Sequence, residues 1–88
     1  MDYEFDAVKD ESNLVKHGLL LADFEGFEWE TAVVREDTRK CYSEPRFEAT
    51  GYIGERLHVM IYCIRGEAIR IISLRKANKR EESRYAET

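Results

Sequence analysis

Apolar residues recur at helical spacing in the first part of the chain and at every second position over most of the remainder. Across 6–16, Asp6 is placed to accept from the free N–H groups of a first helical turn, and His17-Gly18 ends the segment, with glycine able to take a left-handed cap. The expectation is a helix through Lys16 with Ala7, Leu14 and Val8 turned inward. Residues 19–25 read as a second short helix: Leu20, Phe24 and Phe27 fall at i, i+4 and i+7, Leu21 widens the stripe, and Gly26 ends it. Ahead of both, Tyr3 to Phe5 suits a short strand or an extended lead-in.

The period then changes to two. Ala32, Val33 and Val34 mark a strand within 29–35, the polar stretch 36–44 reads as a loop, and Pro45 sets the start of the next strand. Over 46–53, Phe47, Ala49, Gly51 and Ile53 alternate with Arg46, Glu48, Thr50 and Tyr52; over 56–64, Leu57, Val59, Ile61 and Cys63 alternate with His58, Met60, Tyr62 and Ile64. Gly54-Glu55 suits a hairpin between them, and Arg65-Gly66-Glu67 a tighter turn after them. The run 68–74 carries Ile69, Ile71, Ile72 and Leu74, the composition of a strand covered on both faces, and leads straight into a basic helix containing Arg75, Lys76, Lys79, Arg80 and Arg84. Strict alternation turns Arg70 and Arg75 to opposite faces; both serve one site only across a bulge or if Arg75 lies past the strand end. The order of elements predicts one α+β domain over 1–88: an antiparallel meander of about four strands, two N-terminal helices on one face, and a C-terminal helix.

Composition narrows the function. The chain is 43% hydrophobic and 36% charged, which suits a globular domain. Its net charge of −4 argues against a polyanion partner, but the charge is uneven: residues 1–64 hold 7 Lys/Arg against 14 Asp/Glu, and residues 65–88 hold 7 against 4. The uneven charge fits either a solvated C-terminal helix or one cationic face on an acidic body. The acidic N-terminal stretch is no secretion signal, and no apolar run is long enough to span a membrane. Cys41 and Cys63 lie apart, as two free thiols of a cytoplasmic protein would. No glycine-rich phosphate loop or GxSxG elbow occurs, and His17 and His58 are a poor metal pair, so neither cofactor nor metal is expected. His17 reads first as a capping or packing histidine and second as an accessory proton donor or phosphate contact.

What remains is a set of cations with aromatic hydroxyls: Tyr62, Arg65, Arg70, Arg75, Lys76, Lys79, Arg80 and Tyr85. Guanidinium groups match the charge that builds on a phosphoryl group when a ribose 2′-OH attacks it, and tyrosine can stack on an unpaired base. Several motifs carry a resemblance. They are Phe5-Asp6 with SNLVKHG at 12–18, Arg46-Phe47, Tyr62 with Arg65-Gly66, RIISLRKA at 70–77 and REESRY at 80–85. On these the chain resembles the BrnT toxins, the ribonuclease half of BrnT–BrnA type II toxin–antitoxin systems, over nearly its whole length. The resemblance implies a RelE-like fold and a toxin that cleaves RNA without a metal to inhibit translation. Tyr62, Arg65 and Arg80 would be catalytic, and Arg70, Arg75, Lys76, Lys79 and Tyr85 would bind RNA. It further implies a BrnA-like antitoxin partner, a heterotetramer of two toxin–antitoxin pairs, and DNA contacts made only through the antitoxin. The competing expectation is a toxin-derived module that pairs with an antitoxin and tunes operator binding without catalysis.

Overall fold

Where each face of a strand meets a different neighbour, the alternation of side chains becomes structure. The computed structural model of the chain describes residues 2–39 and 43–88, and in it the strands β2 (Val33–Asp37), β3 (Arg46–Ile53), β4 (Arg56–Arg65) and β5 (Ala68–Lys76) form an antiparallel meander. A short strand β1 (Asp2–Glu4) pairs in parallel with the first three residues of β5, giving a five-stranded mixed sheet in the order β1-β5-β4-β3-β2. Helix α1 (Ala7–His17) follows β1, and helix α2 (Lys79–Ala86) closes the described chain. The turns before β4 and β5 carry Gly54 and Gly66 at φ 63° and 61°, where a side chain would be strained.

The sheet has two unlike faces. The face under α1 carries the main core: Leu21, Phe27, Ala49, Met60, Tyr62, Ile69, Ile71 and Leu74. Complete burial of Leu21, Met60, Ile71 and Leu74 contributes about 1.5–3 kcal/mol each relative to exposure. Gly51 admits the Phe27 ring and Ala32 against this face; a Cβ there would stand 2.8 Å from Phe27 Cζ. On the opposite face, Leu57, Val59 and Ala77 meet Tyr52 and Tyr85 beneath α2, and Cys63 is buried beside Glu44 toward the other end of β4.

Three expectations about element bounds are corrected. The second N-terminal helix is replaced by two short 3-10 turns, Leu21–Phe24 and Trp29–Thr31. Their backbone is held locally and from outside: Asp23 accepts from Leu20 N–H at 2.9 Å within the turn, while Asp10 of α1 accepts from Leu21 N–H and Phe27 bridges to Ile53. The basic helix does not begin at Arg75. Arg75 and Lys76 still pair with Val59 and His58 as part of β5, and α2 starts only after Asn78, whose side chain caps Glu81 N–H at 2.8 Å. The loop expected over 36–44 begins later, because Glu36 and Asp37 belong to β2; Cys41 lies outside the described residues, and Cys63 is a buried free thiol.

Helix α1 is turned differently from its apolar pattern. Asn13 is its buried residue, while Val8, Leu14 and Val15 are exposed. The reason lies in β5, whose edge away from β4 has no strand neighbour beside Leu74, since β1 pairs only as far as Arg70. Asn13 Oδ1 accepts from Leu74 N–H at 3.1 Å, and its Nδ2 donates to the Leu74 carbonyl at 2.7 Å and to the Leu19 carbonyl at 2.7 Å. Leaving buried backbone groups unpaired is costly, so an amide that satisfies three of them orients the helix more strongly than exposed valines do.

One irregularity positions the site. Ile61 pairs with Ser73, and Tyr62 pairs with Ile71, so Ile72 is an extra residue in β5. Arg70 pairs with Cys63 and Arg75 with Val59, two residues on the same side of the regular strand β4. The bulge thus turns Arg70 and Arg75 to one face, the face away from α1.

Candidate active site

Beyond α2, the face opposite the main core is open, and its polar positions line a groove. Alternation in β3 sends Arg46 and Glu48 to this side, and the register with β2 sets Arg35 opposite Glu48 and Asp37 opposite Arg46. From β5 the bulge delivers Ser73 and Arg75, while α2 contributes Glu81 and Arg84. The groove has two lobes of about 360 and 290 Å³ that share Asp37, Arg39, Glu48 and Arg75. His17, the last residue of α1, closes the second lobe beside Ile72 and Ser73. It reaches there because Gly18 takes a left-handed cap at φ 73°, accepted by the Leu14 carbonyl, and Asn13 holds the helix to the strand beside the bulge.

The groove is cationic in type but internally paired: five arginines and four carboxylates line the two lobes. Arg75 meets Glu81 in a two-pronged pair, Nη1 to Oε1 and Nη2 to Oε2, both at 2.7 Å. That pairing, with a lesser contribution from the Asn78 backbone N–H, pulls the Glu81 carboxyl down to about 2 and raises Arg75 above its ordinary value. Arg39 grips Asp37 at 2.8 and 2.9 Å, and Arg35 reaches Glu48 at 3.3 Å. A guanidinium has five N–H donors; Arg75 spends two on Glu81 and one, at 3.4 Å, on the Lys76 carbonyl, so its Nε–H edge keeps donor capacity.

The residues expected to be catalytic do not come together. Tyr62 is 6% exposed on the α1 face, stacked on Phe47 at 5.6 Å and edge-on to Trp29 at 5.3 Å, and burial raises its phenol pKa. Arg65 is on the groove face but at the far end of β4, where it pairs with Glu44 at 2.9 Å, and the arginine holds that carboxyl below its ordinary value. Arg80 is on the first turn of α2, which packs at the Leu57 end of β4, so the strand separates the two arginines by roughly 25 Å. Arg70, partly exposed, ties β5 to Glu4 at 3.2 Å and Asp6 at 4.0 Å. Lys76 and Lys79 are exposed near α2, and Arg80 stands one helical turn before Arg84. Tyr85 packs edge-on to Tyr52 at 5.6 Å and donates its hydroxyl to the Thr31 carbonyl at 2.8 Å.

From the expected set, the groove thus gathers Arg75 and His17. It adds Arg35, Arg39, Arg46, Glu48 and Ser73, which sequence reasoning missed. The Arg46/Glu48 alternation was the available signal; treating 36–44 as a loop hid the matching Arg35/Asp37 pair. Among the described residues no three His, Cys, Asp or Glu side chains gather to hold a metal ion, and no helix is long and apolar enough to cross a membrane.

A small α+β protein with guanidinium groups converging on an open sheet face, and a histidine at its rim, belongs with proteins that handle polyanions. Residues 5–81 match the family described as ribonuclease toxin, BrnT, of type II toxin–antitoxin systems, and the chain belongs to that family. No curated protein matches it. The match takes in α1, every strand from β2 to β5 and the start of α2, and so the groove's framework. Family membership makes the protein a ribonuclease toxin with an antitoxin as its partner.

Proposed function

We propose that the protein is a metal-independent endoribonuclease that inhibits translation by cutting RNA in the groove between His17 and Arg84. The observation that carries this reading is the convergence of Arg35, Arg39, Arg46, Arg75 and Arg84 with His17 and Glu48 along one open face. The ribose 2′-oxygen attacks the adjacent phosphorus, the bond to the 5′-oxygen breaks, and a 2′,3′-cyclic phosphate and a 5′-hydroxyl result. Arg75 and Arg46 stabilise the charge that builds on the phosphoryl oxygens. Glu48 takes the 2′-hydroxyl proton, and His17 supplies one to the departing 5′-oxygen. Lys79 and Arg80 extend the cationic edge toward flanking phosphates, whereas Lys76, opposite His58, projects from the other face of the sheet and Arg65 and Arg70 serve its far end. The RelE-like fold that the resemblance implies agrees with the meander and its open face. A BrnA-like antitoxin would cover the groove in a cytoplasmic heterotetramer of two toxin–antitoxin pairs, with DNA contacted only through the antitoxin.

The test is cleavage of end-labelled RNA by the purified protein in excess chelator, with analysis of the product termini and parallel growth-arrest assays. Cyclic-phosphate ends are expected, and His17→Ala and Arg46→Ala should each lower the rate at least about a hundredfold with the fold intact. Unchanged cleavage in both folded variants would sink this site. A second reading has one observation in its favour: carboxylates already engage Arg35, Arg39 and Arg75. In that reading the chain is a non-catalytic module that pairs with an antitoxin and tunes operator binding; the same assay would show no cleavage at any concentration, while the co-expressed antitoxin would still purify with the chain as a stable complex.

A further inference from the structure

Where the groove reaches α2, it opens into a smaller hollow of a different character. This cavity, about 120 Å³ in volume, lies between the helix and the paired strands β2 and β3. Its walls are Val33, its cross-strand partner Thr50, Tyr85 and Thr88; Arg35, Arg84 and the Arg75-paired Glu81 line both this cavity and the adjoining groove lobe. We propose that it is a nucleobase subsite, which takes one pyrimidine base from the nucleotide next to the phosphate held in the groove. The proposal rests on the ribonuclease reading and deepens it.

Three features select a base as the occupant. A phosphate needs donors on every side, and the Val33 side chain and Tyr85 ring offer none to a group seated between them. An apolar side chain from a partner would suit those walls but gains nothing from two arginines that the cavity shares with the groove. A base needs both, an apolar or aromatic surface for its face and polar groups for its edge, joined to a phosphate one nucleotide away. Size excludes a double ring: at about 120 Å³ the cavity is smaller than the apolar cavity of about 150 Å³ that accommodates benzene, so a single ring enters with its polar edge toward the groove. The stacking surface is also set in advance. Tyr85 is held by its hydroxyl on the Thr31 carbonyl at 2.8 Å and by the edge-on Tyr52 ring at 5.6 Å, so binding a base does not require ordering it. The Thr50 hydroxyl supplies a donor and acceptor for the edge of the ring.

The experiment measures binding of non-cleavable 2′-O-methyl tetranucleotides by fluorescence anisotropy. Three probes carry the same phosphates: oligo-U, oligo-A and an abasic strand. The parent protein should bind oligo-U on the order of tenfold more tightly than the abasic strand, and oligo-A less tightly than oligo-U. Val33→Trp fills the cavity and should erase the advantage of oligo-U while leaving abasic binding unchanged. Thr50→Val keeps the shape and removes the hydroxyl; it should lower the oligo-U advantage severalfold and serves where the tryptophan variant fails to fold. Equal binding of oligo-U and abasic strands, a preference for oligo-A, or full discrimination in a folded Val33→Trp or Thr50→Val protein overturns the subsite and leaves the ribonuclease groove standing. Failure of the parent protein to bind any of the three strands overturns the groove reading, and the subsite with it.

Discussion

Glu81 joins α2 to the sheet, and removing its charge should loosen that joint in a pH-dependent way. The carboxylate accepts from the Asn78 backbone N–H at 2.9 Å and from both Arg75 terminal nitrogens at 2.7 Å, so one side chain caps a helix and fixes a groove arginine. Its pKa falls from an ordinary 4.5 to about 2. At about 1.4 kcal/mol for each tenfold change in proton affinity, that corresponds to a ceiling of about 3 kcal/mol. Arg75 is 31% exposed and Glu81 16%, so solvent screening lowers the contribution to about 2 kcal/mol. Glu81→Gln keeps a capping acceptor but loses the charge and one prong of the pair. At pH 7 it should cost about 2 kcal/mol, a fall in melting temperature of about 10 °C for a domain this size.

The pH dependence makes the assignment specific. A carboxyl whose pKa is lowered by folding contributes fully above its unfolded pKa and loses its contribution as pH falls through the folded one. The gap in stability between parent and Glu81→Gln should be constant from pH 7 to about 5, shrink to less than half by about pH 3, and close near pH 2. Urea unfolding of both proteins across this range measures it. Because the comparison is a difference, other titrating carboxylates such as Glu44 act in both proteins and cancel. Equal stability at pH 7, or a gap that persists unchanged to pH 2.5, would refute the reasoning.

Two other substitutions separate scaffold from chemistry. Asn13→Leu strands the Leu19 carbonyl and both backbone groups of Leu74, so it should destabilise by about 3 kcal/mol and speed hydrogen exchange at the Leu74 amide; a stable variant with slow exchange there would show that the amide does not hold α1 to β5. Tyr62→Phe, buried on the face away from the groove, should leave RNA cleavage within about twofold and stability within about 1 kcal/mol; lost cleavage in a folded Tyr62→Phe protein would restore Tyr62 to the chemistry.

The parts of this fold that could be read in advance are those where one local rule acts alone. Strand β3 has the predicted bounds and β4 extends by one residue, because alternation places Met60 and Tyr62 against the core and Leu57 and Val59 against α2. The reading failed where a long-range demand overrode a local preference. Nothing near Asn13 in sequence discloses that the Leu74 backbone, sixty-one residues away, has no strand partner on the edge away from β4, so the apolar residues of α1 predicted the wrong inward face. Tyr62 illustrates the converse. Its place in a strand was legible, but which of two faces held the open groove was not, so a phenol near cations in sequence was expected at the site, whereas the structure packs it in the core.

The bulge at Ile72 decides the rest. An unbroken alternation from Arg70 would turn Arg75 into the core face, where a guanidinium would have to be buried among Leu21 and Met60 at a cost of several kcal/mol. The extra residue returns Arg75 to the open face, sets Ser73 beside it, and lets Leu74 remain fully buried opposite Met60. It falls where β5 has left β1 behind and where Asn13 can take over the unpaired backbone, so the amide and the bulge form one device. That device also explains the location of His17: the helix that Asn13 holds against the bulge ends one turn later, at the rim of the groove beside Ser73. The SNLVKHG and RIISLRKA motifs, far apart in the chain, are thus the two halves of a single structural element, and the groove's histidine and central arginine are positioned by the same three hydrogen bonds.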